Sequence, residues 1–170
     1  MPAIAPEIRR QSEQIKLLCL DVDGVLTDGS LYYDATGEAL KRFYTRDAAG
    51  MALLHHAGIM IAWISAENSS ITAARADKLG IQFVLLGCKN KVQSAERLRK
   101  ELELEWHEIA YMGDDWFDID LLESVGFSAC PSDAHPDVLK VSAFRSQWPG
   151  GNGAVREFCD MLLQARDPNA

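Results

Sequence analysis

A short apolar run followed by two carboxylates is the first feature of this sequence that could do chemistry. Asp21 and Asp23 come directly after the run Leu17–Leu20, and Gly24 follows them. Carboxylates at the end of a buried strand cost desolvation free energy, which a divalent metal ion bound with a phosphoryl group would offset. The segment therefore predicts an active site, although an isolated Asp-x-Asp pair also occurs in turns, helix caps and calcium loops.

Three later apolar runs are also followed by polar residues. Ser65 and Lys91 follow two of them, and Asp114 follows a third in the motif Gly-Asp-Asp-Trp-Phe-Asp. In an open parallel sheet, ligands bind outside the carboxyl ends of the strands, so these side chains should converge. Each has a simpler interpretation alone: Ser65 as a helix cap, Lys91 as a solvated helix residue, and Asp118 as a charge at a helix N-terminus. Together and in this order, these residues indicate an active site more specifically than any one of them does alone.

Phosphoryl transfer needs these residue types. A carboxylate attacks a phosphate dianion only when cations neutralise the phosphoryl oxygens, and we assign Asp21 as that nucleophile. Asp23 is placed to protonate the leaving alkoxide and later to deprotonate the water that hydrolyses the aspartyl phosphate. Asp21, Asp23 and Asp114 would provide an oxygen-rich Mg²⁺ site, and Ser65 and Lys91 would hold the phosphoryl oxygens.

The elements that must position these residues alternate between strands and helices. This pattern favours an α/β fold, a Rossmann-like doubly wound parallel sheet with helices on both faces. The predicted strands are Ile15–Leu20, Ile59–Ile64, Phe83–Leu86, Glu108–Met112, Gly126–Ala129 and Ala143–Arg145. The predicted helices are Asp47–His56, Ser69–Leu79, Lys91–Leu104, Trp116–Glu123 and Gly153–Gln164.

One segment, Leu31–Tyr44, interrupts the alternation. Aromatic residues flank an Asp-Ala-Thr-Gly turn there, which predicts a β-hairpin inserted after the first strand. Exposed aromatic residues on such a hairpin would suit an interface between proteins. The alternative is an ordinary hairpin packed on its own domain.

Length and charge set further expectations. The 170 residues predict one domain over residues 15–166 after an N-terminal extension, residues 1–14. A net charge of −8 argues against nonspecific nucleic-acid binding. The four scattered cysteines favour a reduced, cytoplasmic protein, and no apolar stretch predicts a secretion signal or membrane partner. The histidines lack the spacing of a zinc site.

The motifs resemble, in order, those of the haloacid dehalogenase superfamily of phosphatases. The matching residues are Asp21 to Gly29, Ser65, Lys91 and Gly113 to Asp118. The resemblance implies a Mg²⁺-dependent phosphohydrolase that forms an aspartyl phosphate. One hairpin and one helix separate Asp21 from Ser65, and one helix and one strand separate Ser65 from Lys91. This spacing leaves no room for a lid domain, so a capless enzyme is expected.

Accessory segments resemble the capless subgroup that includes the 3-deoxy-D-manno-octulosonate 8-phosphate phosphatases. They begin at Arg46, Ser132 and Gly150. The resemblance implies a homotetramer whose hairpins assemble at the centre and whose active sites are covered by neighbouring subunits, with Arg46 and Arg156 at the substrate. The glycine segment before Arg156 is expected to act as a flexible lid, or alternatively to form only the first turn of a helix.

One departure from that subgroup concerns the substrate. The chain has Ser65-Ala66-Glu67-Asn68 where those phosphatases typically have Ser-Gly-Arg. Glu67 and Lys78 resemble instead the pattern of phosphatases acting on nine-carbon 2-keto-3-deoxy-nononate 9-phosphate. Glu67 could accept hydrogen bonds from sugar hydroxyls, and Lys78 or a neighbouring subunit's arginine could pair with the carboxylate. Glu67 could equally be a favourable acidic residue in the first turn of a helix.

Two other functions would use a similar set of residues. A signalling receiver module also accepts phosphate on an aspartate, but there the acidic pair and the phosphorylated residue occupy different strands, whereas Asp21 and Asp23 share one strand end. A noncatalytic or regulatory subunit of sialic-acid or keto-sugar activation is the other alternative. The intact set of catalytic residue types weighs against it.

Overall fold

β1 (Leu17–Leu20) lies at the centre of a six-stranded parallel sheet. In this computed structural model, which describes residues 6–166, β1 pairs with β4 (Met60–Ile64) and β6 (Ile109–Met112). The order continues outward to β5 (Phe83–Leu85) on one side. On the other side follow β7 (Phe127–Cys130) and β8 (Phe144–Arg145). All four residues of β1 are buried, as expected for a central parallel strand covered on both faces.

Helices cover both faces of the sheet. They are α1 (Pro6–Gln14), α2 (Thr45–His56), α3 (Ser70–Leu79), α4 (Lys91–Glu101), α5 (Ile119–Ser124), α6 (Pro136–Val141) and α7 (Ala154–Arg166). Leu18 of β1 faces a core that includes residues of α2 and α7, whereas Leu17 faces a core that includes residues of α4 and α5. Short 3₁₀ turns occupy Trp106–Glu108 and Trp116–Asp118. The predicted doubly wound fold is confirmed.

Each predicted strand of the sheet is present, with ends shifted by at most two residues. Two helices were not predicted. α6 begins at Pro136 after the His135 ring accepts the Asp137 N–H, and proline at a first helical position is a recognised start signal. α1 packs on α7, where the Ser12 hydroxyl lies 3.5 Å from the Met161 sulfur. The domain boundary at residue 15 stays a prediction.

The predicted hairpin is present as β2 (Tyr32–Asp34) paired with β3 (Gly37–Leu40). The Asp34 carboxylate closes its turn by accepting the backbone N–H of Thr36 at 2.7 Å. Side chains on the hairpin are unusually exposed for their type, with Tyr33 65% exposed and Leu40 51% exposed. The hairpin therefore presents apolar surface away from its own domain.

Two further sequence expectations can be compared with the described residues. The four cysteines are all free thiols there. Within residues 6–166, no helix combines the length and apolar character that crossing a bilayer requires.

Candidate active site

Four predicted site residues lie at one edge of the sheet, where neighbouring parallel strands end. Asp21 follows β1, and its N–H donates to the Met112 carbonyl at the end of β6 at 3.0 Å. Ser65 follows β4, and its N–H donates to the Leu85 carbonyl of β5 at 2.9 Å. Lys91 begins α4 after β5, and Asp114 follows β6. The carboxyl ends of the strands thus carry the site, as this sheet topology predicts.

Lys91 is the cation of this site. Its ammonium lies 2.8 Å from the Asp21 carboxylate and 2.5 Å from the Asp118 carboxylate, and all three side chains are at least 91% buried. The N-terminal end of α4 is fixed by Asn90, whose side chain accepts the Gln93 N–H at 2.8 Å. A buried ammonium held between two carboxylates is positioned for an anionic ligand without rearrangement of its helix.

Asp118 has a larger role than the helix N-terminal charge considered from the sequence. One of its oxygens accepts from Lys91 and from the Tyr111 hydroxyl at 2.6 Å. Its other oxygen accepts the backbone N–H groups of Asp114 and Asp115 at 2.9 and 3.1 Å. These four bonds use the full acceptor capacity of a carboxylate. Asp118 therefore orients both Lys91 and the loop that carries Asp114.

Asp114 lies next to Gly24, and the contact leaves no room for a side chain there. A Cβ on Gly24 would lie 2.0 Å from an Asp114 carboxylate oxygen, and Gly24 has a φ of +94°. The Asp114 Oδ1 atom is buried without a hydrogen-bond partner among the described residues. Oxygens of Asp21, Asp114 and Asp118 all lie within 4.8 Å of one another. This arrangement suits a divalent cation that prefers oxygen ligands.

The pKa values at this edge reflect the crowding of negative charge. Burial raises the pKa of Asp21 to about 6, although Lys91 opposes the shift. Burial and the neighbouring carboxylates of Asp21 and Asp118 raise the pKa of Asp114 to about 9. Burial alone would lower the pKa of Lys91, but the charges of Asp21 and Asp118 raise it above its ordinary value. One ammonium does not balance three carboxylates, so a bound cation would stabilise the ionised cluster.

The Asp23 side chain points to a different partner. Both of its oxygens accept from the ammonium of Lys41, at 2.6 and 2.7 Å. Asp23 is absent from the cluster of Asp21, Asp114 and Asp118, and its predicted role as a metal ligand stays a prediction. No role was predicted for Lys41 from the sequence, because it lies inside the predicted hairpin Leu31–Tyr44 with no motif around it.

Ser65 and Glu67 lie together on the loop after β4. The buried Ser65 hydroxyl accepts the Glu67 N–H at 3.1 Å, and the Glu67 side chain is exposed. Lys78 is exposed near the end of α3. The proposed substrate contacts of Glu67 and Lys78 remain predictions, and both side chains are free to meet a ligand or a neighbouring subunit.

The two predicted arginines differ in their surroundings. Arg46 is exposed, and its guanidinium lies 5.9 Å from the centre of the Tyr44 ring. The guanidinium of Arg156 pairs with Asp160, one turn further along α7, at 2.8 Å. This pair joins residues four apart on α7 and supports the helix. A substrate contact by either arginine stays a prediction.

The glycine segment before α7 is packed against the loop that follows β1. The Gly151 N–H donates to the Val25 carbonyl at 2.9 Å, and a Cβ on Gly150 would lie 1.8 Å from the Gly24 carbonyl oxygen. The segment thus forms the turn that leads into α7, which is the alternative considered for it. Its action as a lid stays a prediction.

A cavity of about 410 Å³ opens beside Lys91. Its lining includes Ala66, Lys89, Trp116 and Phe117. Trp116 and Phe117 are 62% and 76% exposed and pack edge to face. The volume is within the range of small-molecule sites.

Comparison with known proteins agrees with this geometry. Residues 55–156 match the family model of the haloacid dehalogenase-like hydrolases. A 3-deoxy-D-manno-octulosonate 8-phosphate phosphatase of Salmonella typhimurium is 37% identical over 163 residues, which are 96% of this chain and 87% of that protein. The chain belongs to the haloacid dehalogenase-like hydrolases.

Solved structures of other haloacid dehalogenase-like enzymes superpose closely. One is a 3-deoxy-D-manno-octulosonate 8-phosphate phosphatase of Moraxella catarrhalis in complex with a magnesium ion, a phosphate ion and a KDO molecule. Its TM-score is 0.93 and its identity 35%, over 96% of this chain and 94% of that one. Another is the cobalt-bound deoxy-D-mannose-octulosonate 8-phosphate phosphatase of Haemophilus influenzae. Its TM-score is 0.89 and its identity 40%, over 92% of this chain and 91% of that one.

These findings confirm the family and the enzyme class expected from the sequence. The chain is a phosphoric monoester hydrolase of the haloacid dehalogenase-like family. Its acidic cluster offers the oxygen ligands that a divalent ion requires, and the two related structures hold magnesium and cobalt.

Proposed function

We propose that this protein hydrolyses the phosphate monoester of a 3-deoxy-2-keto sugar acid, with Mg²⁺, through an aspartyl phosphate on Asp21. The observation that carries the proposal is the juxtaposition of Asp21 with Lys91 at 2.8 Å and with the half-buried Asp114. A nucleophilic carboxylate, an ammonium and a second carboxylate at one strand edge are the parts that phosphoryl transfer requires. The names of the related phosphatases support the sugar-acid class.

In the proposed reaction, Asp21 attacks phosphorus and the bond to the sugar oxygen breaks. Asp23 gives its proton to that oxygen and then takes a proton from the water that hydrolyses the aspartyl phosphate. Lys91 and the Ser65 hydroxyl hold the phosphoryl oxygens, and Asp118 keeps Lys91 in place. The buried setting strengthens these charged contacts because little water competes for them.

Mg²⁺ would be held mainly by Asp21 and Asp114. The fit depends on the unpartnered Asp114 Oδ1 and on the excess of carboxylates over cations at this edge. Asp118 is less available, because protein donors already occupy both of its oxygens. When bound, the ion would neutralise the phosphoryl oxygens and so let an anionic nucleophile approach.

A phosphate-release assay tests the proposal. We expect turnover of octulosonate 8-phosphate or nononate 9-phosphate with Mg²⁺ and its loss in the chelator EDTA. The matched control is Asp21→Asn, which should fold and release no phosphate. Absence of turnover on any sugar phosphate by the wild type would contradict the proposal.

Glu67 favours the nine-carbon ester, whereas the related proteins are octulosonate phosphatases by name. If Glu67 accepts hydrogen bonds from the longer sugar, Glu67→Gln should lower the nononate-to-octulosonate ratio of kcat/KM by about tenfold, the size of one specific contact. Glu123→Gln, at an exposed position on α5, is the control. An unchanged ratio, or a wild type that strongly prefers the eight-carbon ester, would remove Glu67 from the specificity argument.

We also propose a cytoplasmic homotetramer assembled through the hairpin, with neighbouring subunits covering the active sites. The exposed Leu31, Tyr32, Tyr33 and Leu40 support an interface, and the free cysteines suit a reducing compartment. Tyr33→Glu should lower the mass measured by light scattering. A wild type that is monomeric at micromolar concentration would contradict the assembly.

A further inference from the structure

Lys41 is a buried cation that the proposed reaction does not yet use. It comes directly after β3, and its side chain is fully buried although the preceding Leu40 is 51% exposed. This reverses the usual arrangement, in which the apolar residue points inward and the lysine outward. Burying an ammonium costs free energy that must be recovered from carboxylates nearby. The hairpin therefore directs a charge inward at some cost.

The ammonium of Lys41 lies between two carboxylates. It bonds both oxygens of Asp23, at 2.6 and 2.7 Å, and lies 3.1 Å from Glu38 on β3. The other oxygen of Glu38 accepts the Ser69 hydroxyl, and Ser69 caps α3 through the Thr72 N–H. A continuous polar chain thus runs from the loop after β1, through the hairpin, to the loop after β4.

This chain restricts the position of Asp23. Its carboxylate has two bonds from Lys41, and the Thr27 hydroxyl lies 3.5 Å from the same oxygen that is closest to Lys41. A carboxylate with both oxygens bonded to one ammonium has little freedom to rotate. The Asp23 side chain remains 23% exposed. Its placement relative to Asp21 is therefore set in part by a residue of the hairpin.

We propose that Lys41 is a positioning residue for the Asp23 carboxylate, and that the hairpin acts on the reaction through it. The inference rests on the proposed phosphatase function, in which Asp23 protonates the leaving oxygen. Lys41 bonds the Asp23 carboxylate and Glu38 contacts the Lys41 ammonium in turn, so the hairpin fixes the position of the group that would protonate the leaving oxygen.

Leaving-group dependence separates this role from a purely structural one. An alkyl phosphate, such as the sugar-acid ester or glycerol phosphate, needs a proton on its leaving oxygen, whereas p-nitrophenyl phosphate releases a stable anion. We expect Lys41→Met to lower kcat/KM, which reports the steps up to formation of the aspartyl phosphate, by about 10²-fold for the alkyl ester and by only a few-fold for the aryl ester. Asp23→Asn should show the same selectivity. The double variant should be no slower than Asp23→Asn alone, because the two residues act as one unit.

Two further variants distinguish a specific effect of Lys41 from a general loss of folding. Lys41→Arg retains the charge and should keep the fold, with a smaller loss that is still selective for the alkyl ester. Lys16→Met removes an exposed lysine that also pairs with a glutamate, Glu108, and should leave both rates unchanged. Thermal melting is measured for each variant. The Arg variant decides the outcome if Lys41→Met does not fold.

Equal losses on both esters in Lys41→Met and Lys41→Arg, or additive losses in the double variant, would overturn the role of Lys41 while leaving the proposed function intact. A wild type that hydrolyses neither ester would overturn the proposed function and this inference together. Selective losses shared by Lys41 and Asp23 variants would support both.

Discussion

Two carboxylates in this fold have a buried oxygen without a hydrogen-bond partner in the described residues, and only one of them is at the active site. Asp114 Oδ1 lies at the carboxyl edge of the sheet, and Asp47 Oδ2 lies between α2 and α7. Burial is the main reason that the pKa of each is raised, to about 9 for Asp114 and to about 6 for Asp47. Burial of an acid therefore does not by itself mark the catalytic site.

The neighbours of the two carboxylates distinguish them. The second oxygen of Asp47 accepts the Arg156 N–H at 2.9 Å in the first turn of α7, where the helix end carries partial positive charge. Asp114 instead lies near the carboxylates of Asp21 and Asp118, with Lys91 as the neighbouring ammonium. A single acid at a helix end has a structural role, whereas several acids gathered around one ammonium favour a bound cation.

The largest expected difference between the two regions is in catalysis. Asp21→Asn should lower kcat by at least about 10³-fold, because the amide cannot form the acyl phosphate. Asp47→Asn is the matched control, since it also replaces a buried carboxylate by its isostere, and it should keep kcat within about threefold. Steady-state phosphate release measures both. A large loss of kcat in Asp47→Asn would contradict a purely structural role for Asp47.

Each region also contains a glycine in close contact. An alanine at Gly24 would clash with Asp114 at 2.0 Å and would be strained by the positive φ, so we expect a loss of about 3 kcal/mol in stability and of most activity. An alanine at Gly50 would meet Arg156 Cδ at 3.0 Å, Cys159 Cβ at 3.1 Å and Arg156 Cα at 3.2 Å, so α2 and α7 would have to move apart by a few tenths of an ångström. It should cost about 1 kcal/mol and little activity. Urea unfolding and phosphate release test the pair; similar losses in both variants would contradict the prediction.

Metal binding should stabilise the folded protein through the carboxylates at the carboxyl edge of the sheet and not through Asp47. Mg²⁺ at a hundredfold excess over its Kd should raise the free energy of unfolding by about 2.7 kcal/mol. Asp114→Asn should lose most of this gain, because a neutral amide replaces the carboxylate that would hold the ion. Asp47→Asn should keep the gain. Thermal melts with and without Mg²⁺ provide the measurement. An equal gain in Asp114→Asn would place the ion elsewhere.

The smallest expected effect is the pH dependence that Asp47 gives to stability. Its pKa is higher in the folded state, at about 6 against an ordinary 3.8, so the folded protein binds the proton more tightly. Its contribution to stability is therefore largest below about pH 4, falls as the pH rises to about 6, and is constant above that. Relative to Asp47→Asn, the wild type should lose stability progressively across this window. Urea unfolding at stepped pH checks it, and a difference that does not change with pH would contradict it.

Much of this architecture could be predicted from the sequence, because strands and strand ends have strong local signals. The apolar run ending at Asp21 predicted the central strand, and the polar residues after three other strands predicted the catalytic edge. These predictions needed only the alternation of elements and the rule that parallel strands end at one edge. The family and enzyme class followed from the same ordered motif.

The residues that were missed depend on contacts distant in the sequence. Lys41 has no local motif, and the direction of its side chain is set by Asp23 and Glu38. The sequence around Tyr111 indicates only a buried strand, yet the Tyr111 hydroxyl donates a hydrogen bond to Asp118. The one available signal for Lys41 was the unusual order Leu40-Lys41 at the end of a strand whose apolar residues face outward.

The contact between Gly150 and Gly24 has a further consequence. Two backbone segments, one leading into α7 and one in the loop that follows β1, meet there with no side chain between them. Neither can shift without displacing the other, so they form one mechanical unit. A redesign of α7, or a fusion to it, should therefore keep the Gly150–Gly24 backbone contact if activity is to be retained.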